Sequence, residues 1–233
     1  MSSNAIIITG PCRSGISMIA GVVDVCGAWG GTKGKLNSYD ASAYGENKDI
    51  RDNILNPFLE GIKADRRGQR PLPNISKCNS IAKEIGEAWR RRTLRIIEEN
   101  GYESGPFYLA STKHSLIWPV WNEAFPGTKW ILIRRKDEDI IEACMKTDYM
   151  FRYKDEGGWY YWLSKYKKRI QEMIDERLNV FQIWPQHMIN GDLRELEELI
   201  KWLGLEWDEN KIQDFVAPIV WRNGKFLFSN TGG

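Results

Sequence analysis

Residues Gly10-Pro11-Cys12-Arg13-Ser14-Gly15-Ile16-Ser17 bring two glycines, a cation and two hydroxyls into one short stretch. An apolar run, Ala5 to Thr9, feeds this stretch, and a helical pattern continues beyond it through Met18, Ile19, Val22 and Val23. Strand, glycine-bounded turn and helix, in that order, aim backbone N–H groups and a helix dipole at one point. That geometry suits a bound phosphate or sulfate. The spacing from Gly10 to Gly15 and Ser17 follows the pattern G-x-x-x-x-G-K-[ST], with Ile16 in the lysine position. Positive charge comes instead from Arg13, inside the loop. The expected chemistry is an anion cradle built for something other than ordinary ATP hydrolysis.

The loop resembles the G-x-P-R-S-G-T-S loop of the P-loop sulfotransferases, with Cys12 in place of proline, Pro11 one position earlier, and Ile16 in place of threonine. The resemblance implies a loop, Gly10 to Ser17, that grips the 5′-phosphosulfate of 3′-phosphoadenosine 5′-phosphosulfate (PAPS). A second block runs from Lys113-His114-Ser115 through Trp118-Pro119-Val120-Trp121 to Phe125-Pro126-Gly127 and Lys129 to Arg135. It is similar to the family segment K-D-P-R … LPFW … FP-x-A-x-F-I-x-V-R-x-P-x-D. With Asp139 as the register point, the family's 3′-phosphate arginine falls on Arg135 and its serine on Ala143. The missing hydroxyl leaves Cys144, Arg134 or a backbone group to compensate. Arg134 and Arg135 alternate across the strand end, so one of them points away from the ligand. Trp221-Arg222-Asn223-Gly224-Lys225 resembles the R-K-G segment that closes over the 3′-phosphate, and Asn190-Gly191-Asp192-Leu193 resembles the Y-E-D-L turn, whose acid caps a helix.

Sulfuryl transfer needs preorganised donors for the equatorial oxygens and the leaving phosphate, and a base for the acceptor hydroxyl. The loop amides, Arg13 and Lys113 meet the first need. Two residues compete for the second. Glu46, in Tyr44-Gly45-Glu46-Asn47, resembles the family's G-Y-F-E-N/D element, and His114 resembles the histidine of K-T-H, displaced by one residue. A histidine has the better unperturbed pKa, whereas a glutamate needs burial to raise its own. The surrounding residues favour the glutamate version, so Glu46 ranks first.

The elements that must position these residues follow from periodicity. The chain has 233 residues, the length of one domain, with a C-terminal tail from about 217. Short apolar runs at Phe107 to Ala110 and Lys129 to Ile133 read as buried strands, and Val180 to Ile189 holds another. Helical spacing covers Asn47 to Lys63 with a kink or break at Pro57, Asn79 to Asn100, Ser115 to Phe125, Asp137 to Thr147, Trp159 to Leu178, Asp192 to Leu203 and a short stretch near Asn210. Ala28 to Gly45 reads as a glycine-rich loop beside the site, and Asp65 to Pro73 as a basic loop. Strands alternating with helices argue for an α/β three-layer sandwich around a central parallel sheet, which the resemblance makes P-loop NTPase-like. Ligands of such sheets bind at the carboxyl ends of the strands. Gly10, Ser111 to His114 and Arg134-Arg135 all fall at such ends, so all should face one crevice.

Composition sets the remaining bounds. Net charge is +2, from 33 basic and 31 acidic residues, which gives no case for nucleic acid. The runs Arg66 to Arg70, Arg90 to Arg92 and Lys165 to Arg169 read as solvated faces that could greet an acidic substrate. Four cysteines without C-x-x-C spacing and two histidines argue against a metal site. Neither a signal peptide nor a membrane span is evident, and a cytoplasmic protein is expected. Eleven tryptophans suggest an aromatic-lined cleft in addition to core. The expectation is a metal-independent PAPS-dependent sulfotransferase acting on a hydroxyl or amine of a small-molecule, carbohydrate or peptide acceptor. The alternatives are a P-loop kinase using ATP and magnesium, and an inactive P-loop binding module.

Overall fold

The computed structural model describes residues 4–31 and 45–216, together with the backbone of 219–222 and 225–228. Strand β1 spans Ala5–Thr9 and helix α1 spans Ile16–Val25. Next come α2 (Lys48–Ile50), a π turn over Arg51–Leu55 and α3 (Asn56–Gly61). The break expected at Pro57 is thus a wide turn just before it. Pro57 occupies the first turn of α3, where its missing N–H costs least. Helix α4 spans Ile75–Glu99 and starts earlier than the apolar periodicity suggests, because the Asn74 side chain caps it by accepting from the Lys77 N–H at 3.2 Å.

Strand β2 (Phe107–Ala110) leads through a 3₁₀ turn (Ser115–Ile117) into α5 (Trp118–Ala124). Strand β3 (Lys129–Ile133) is followed by α6 (Asp137–Met145), α7 (Glu156–Asp175) and β4 (Val180–Ile183). The chain continues as α8 (Pro185–Ile189), α9 (Arg194–Leu203) and α10 (Glu209–Val216), then a backbone hairpin of β5 (Ile219–Arg222) and β6 (Lys225–Phe228). Helix α9 begins two residues later than the expected acid cap. Leu193 is its N-cap, and Asp192 instead accepts from the Arg194 N–H at 3.2 Å and pairs with the Arg194 guanidinium.

The strand order is β2-β1-β3-β4, all parallel. The strands read as continuous apolar runs because helices cover both faces. With period two, Ile7, Leu109, Trp130 and Leu132 face the layer containing α4, α5, α6 and α7, whereas Ile6, Ile8, Ile131 and Ile133 face α1, α9 and α10. This is the three-layer α/β sandwich with a central parallel sheet expected from the sequence. Gly21 lets α1 sit against α10, since a Cβ there would stand 2.0 Å from the Phe215 ring. The described tryptophans belong mainly to the core rather than to a cleft. Phe58, Trp89 and Trp121 pack edge to face, as do Trp159 and Trp162.

Candidate functional site at the carboxyl edge of the sheet

Parallel pairing sets the ends of β2, β1 and β3 side by side. Ile8 pairs with Ala110 and Thr9 with Leu132, so the residues that follow emerge together. Thr9 ties two of these ends: its hydroxyl donates to the Ser111 carbonyl at 2.9 Å and accepts the Ser115 N–H at 3.1 Å.

The loop after β1 is tightly folded. The Ser14 N–H donates to the Pro11 carbonyl at 3.2 Å, and Arg13 and Gly15 both have positive φ, 68° and 109°. Gly10 permits the loop to lie on β3, since a Cβ there would sit 2.9 Å from the Ile133 carbonyl oxygen and the Ser14 Oγ. Gly15 is the N-cap of α1 and offers no side-chain cap, so the positive end of the helix dipole is directed at the loop. Arg13 Nε and Nη2 and Ser14 Oγ are buried with no hydrogen-bond partner among the described residues. Buried donors in that state are unusual in folded proteins, and they fit an anionic group such as a phosphosulfate.

The two strand-end arginines diverge. Arg135 Nη1 donates to the Arg13 carbonyl at 2.7 Å, and its Nε lies 3.8 Å from Asp139 Oδ2, so this side chain braces the loop. Burial pushes the Arg135 pKa down, opposed by Asp139. Arg134 turns to β4 and donates from Nε to Gln182 Oε1 at 2.8 Å. Ala143 is buried on α6, and its carbonyl accepts from the Thr147 hydroxyl at 2.6 Å. Cys144 lies in the core with its thiol pushed up by burial, so it presents no ready substitute for the absent serine. The side chain of Arg222 and residues 223–224 lie outside the described residues, as does most of the glycine-rich loop, 32–44.

Glu46 is held from three sides. Gly45, at φ 81°, lets the chain pass close to α1, where a Cβ would stand 2.6 Å from Ala20. Asn47 caps α2 by accepting from the Asp49 and Ile50 N–H groups, and its own amide donates to Asn100 at 2.9 Å. Between these anchors the Glu46 carboxylate accepts from Ser111 Oγ at 2.9 Å and from Arg51 Nη1 at 3.3 Å. Lys113 Nζ lies 3.6 Å from Glu46 Oε1 and donates to Asn56 Oδ1 at 3.3 Å. Lys113 is almost buried, and that burial lowers its pKa against the pull of Glu46.

His114 is built differently. It is 1% exposed, and its ring meets Trp121 edge-on at 4.9 Å. Its Nδ1 has no partner among the described residues, and burial, with Lys113 beside it, drives its pKa down to about 3. It is therefore a neutral core histidine.

Arg51 and Asn56, the partners of Glu46 and Lys113, carried no signal in the sequence. Ser111 did, as a polar residue at a strand end, but nothing in its spacing ties it to Glu46. Cys12 meets the Tyr149 hydroxyl at 3.6 Å, another contact between distant segments. Among the described residues no group of three His, Cys, Asp or Glu side chains could hold a metal ion, and no helix is long and apolar enough to cross a membrane.

This fold is that of solved sulfotransferases. The sulfotransferase domain of the Synechococcus PCC 7002 olefin synthase superposes with a TM-score of 0.52 at 14% identity, covering 91% of this chain and 76% of that one. Sulfotransferase STF9 from Mycobacterium avium gives 0.53 at 13% identity, covering 93% of this chain and 68% of that one. No protein-family profile matches the sequence, and comparison with curated proteins finds no match.

Proposed function

We propose that this chain is a sulfotransferase, moving a sulfuryl group from PAPS to a hydroxyl or amine acceptor by in-line displacement. The observation that carries this reading is the set of buried, unpartnered donors of Arg13 and Ser14 in a sulfotransferase-type fold. PAPS supplies a sulfur already bonded to a good leaving group, the 5′-phosphate. Arg13, Ser14 and the first-turn amides of α1 hold the phosphosulfate and meet the charge that develops on it. Arg135 braces the loop and is the candidate contact for the 3′-phosphate. Glu46 takes the acceptor proton as the new bond to sulfur forms and the bond to the 5′-phosphate oxygen breaks, its electron pair leaving with the phosphate. Lys113, beside Glu46, is the candidate cation for the transferring oxygens.

Glu46 is preferred to His114 as base on two grounds. The carboxylate is aimed by Ser111 and Arg51, whereas His114 is sealed against Trp121 and too weakly basic to take a proton. The reading is tested by transfer of labelled sulfate from PAPS to a panel of phenolic and carbohydrate acceptors in the presence of a chelator. Turnover that persists under chelation supports it. Turnover that requires ATP and magnesium would replace it with a kinase.

A further inference from the structure

Two segments beside the donor loop form a rigid, cation-rich platform. Segment 65–71 is pinned to α7, because the Gly68 carbonyl accepts from both Trp162 Nε1 (2.9 Å) and Tyr166 Oη (3.0 Å). Gly68 has φ 68°, and a Cβ there would meet the Tyr166 hydroxyl at 2.6 Å and Lys113 Cγ at 3.8 Å, so the segment lies directly against the site lysine. Segment 147–153 is fastened to it by one buried residue. Gln69 Nε2 donates to the Tyr149 carbonyl at 2.7 Å, and its Oε1 accepts from the Phe151 and Arg152 N–H groups, both at 3.2 Å. Tyr149 in turn reaches Cys12 of the donor loop. Both segments therefore have fixed positions relative to the donor.

The platform presents charge without counter-charge. Phe151 is 51% exposed, and the guanidinium groups of Arg67 and Arg152 lie over its ring at 5.2 and 5.3 Å. An aromatic ring that carries two guanidinium groups keeps them extended and leaves their N–H edges free to donate. Neither arginine has a carboxylate partner among the described residues, nor has Arg70. Exposed Arg66, Arg67, Arg70 and Arg152 outnumber Asp65 and Asp148 in these segments, with Arg66 alone of the four paired among the described residues, to Glu60 at 3.6 Å. Asp65 is itself buried, accepting from the Gln69 and Arg70 N–H groups. In a chain of net charge +2 this is a marked local excess.

We propose that the acceptor carries an oxyanion on the same molecule as the group to be sulfated, and that Arg67 and Arg152, held on Phe151, bind it. Carboxylate, sulfate and phosphate each offer a guanidinium fork two oxygens on one central atom, and the experiment distinguishes the first two. This inference rests on the sulfuryl-transfer reading and adds a specificity to it.

The test is calorimetric titration of a 4-hydroxyphenyl carboxylate, its methyl ester and 4-hydroxyphenyl sulfate, with and without 3′-phosphoadenosine 5′-phosphate (PAP). We expect one or both anions to bind the native chain about tenfold or more tighter than the ester, as charge-assisted bidentate pairing warrants. That preference disappears in the R67A/R152A variant while PAP affinity is unchanged. In R67K/R152K, which keeps the charge but not the fork, it survives only in part. Equal binding of ester and anions, no binding of any of the three, or a preference that persists in R67A/R152A overturns the proposal. Failure of the native chain to bind PAP would instead remove the sulfuryl-transfer reading. An anion preference seen without PAP and lost in R67A/R152A would then keep the clamp and withdraw only its part in transfer.

Discussion

At the donor loop, Arg13 Nε and Nη2 and Ser14 Oγ are buried without partners among the described residues, whereas one strand away both oxygens of Glu46 are engaged by Ser111 and Arg51. Each unsatisfied buried donor costs about 1–3 kcal/mol. On the proposed reading, a loop that keeps several of them is completed by a ligand. The Glu46 cluster is completed by the protein itself, so its geometry is set before any substrate arrives. Under the proposed function, the difference separates a binding element, whose energy is realised on the donor, from a positioned reactive group, whose energy goes into its own orientation.

Glu46→Gln breaks the second region most sharply. The amide oxygen can still accept from Ser111, but no proton acceptor remains, so turnover should fall by about 10²–10⁴ while PAP affinity holds. Single-turnover rates beside PAP titrations check this, and a fall in donor affinity as large as the fall in rate would move Glu46 to the donor side of the comparison. Arg13→Ala removes the cation of the loop. Turnover should drop by about 10–10³, with weaker PAP binding and an unchanged melting temperature, and an unaltered rate would remove Arg13 from the mechanism. Ser111→Ala takes away one hydrogen bond to the Glu46 carboxylate. A loss of about tenfold in kcat is expected, with the effect nearly absent in a Glu46→Gln background, because the two act through one group.

The smallest effect concerns His114, which the comparison leaves outside both regions. It stays neutral in the folded chain down to about 3, against an ordinary value of 6.5. Below 6.5 the unfolded chain binds a proton that the folded chain refuses, so stability falls as pH drops from 6.5 towards 3. Between pH 7 and 5 the depressed carboxyls of Asp52 and Asp192, whose ordinary value is 3.8, are ionised in both states and contribute little. Urea midpoints measured across that interval should decline less for His114→Leu than for the native chain. Parallel declines would mean that His114 is not sealed.

Much of the frame was legible in the sequence because it rests on local pattern. The apolar runs Ala5 to Thr9, Phe107 to Ala110 and Lys129 to Ile133 are strands over those same residues, since a strand buried on both faces has no polar interruption. The convergence of the strand ends at Gly10, Ser111 and Arg134 follows from parallel pairing alone, although the Arg134 side chain then turns away to Gln182. Contacts between distant segments were not legible. No spacing links Arg51 or Ser111 to Glu46, or Gln69 to the backbone of Tyr149, Phe151 and Arg152, because those pairings depend on how α2, the π turn and the loop before α4 fold onto the sheet. The resemblance that set His114 beside Glu46 as a base does not encode burial, and the edge contact with Trp121 belongs to α5 packing. The starts of α4 and α9 were displaced for simpler reasons: Asn74, the cap of α4, lies outside the apolar periodicity that marks a helix, and Asp192, which the sequence suggests as a cap, is engaged by Arg194 while Leu193 takes that position.

The central claim, that the loop after β1 is completed by a 3′-phosphorylated adenine nucleotide, is tested most directly by calorimetric titration of PAP beside ADP and ATP with magnesium. The account predicts micromolar binding of PAP that depends on the 3′-phosphate, is indifferent to magnesium and is weakened by Arg13→Ala. Preference for ATP with magnesium, or no binding of any of the three, would contradict it.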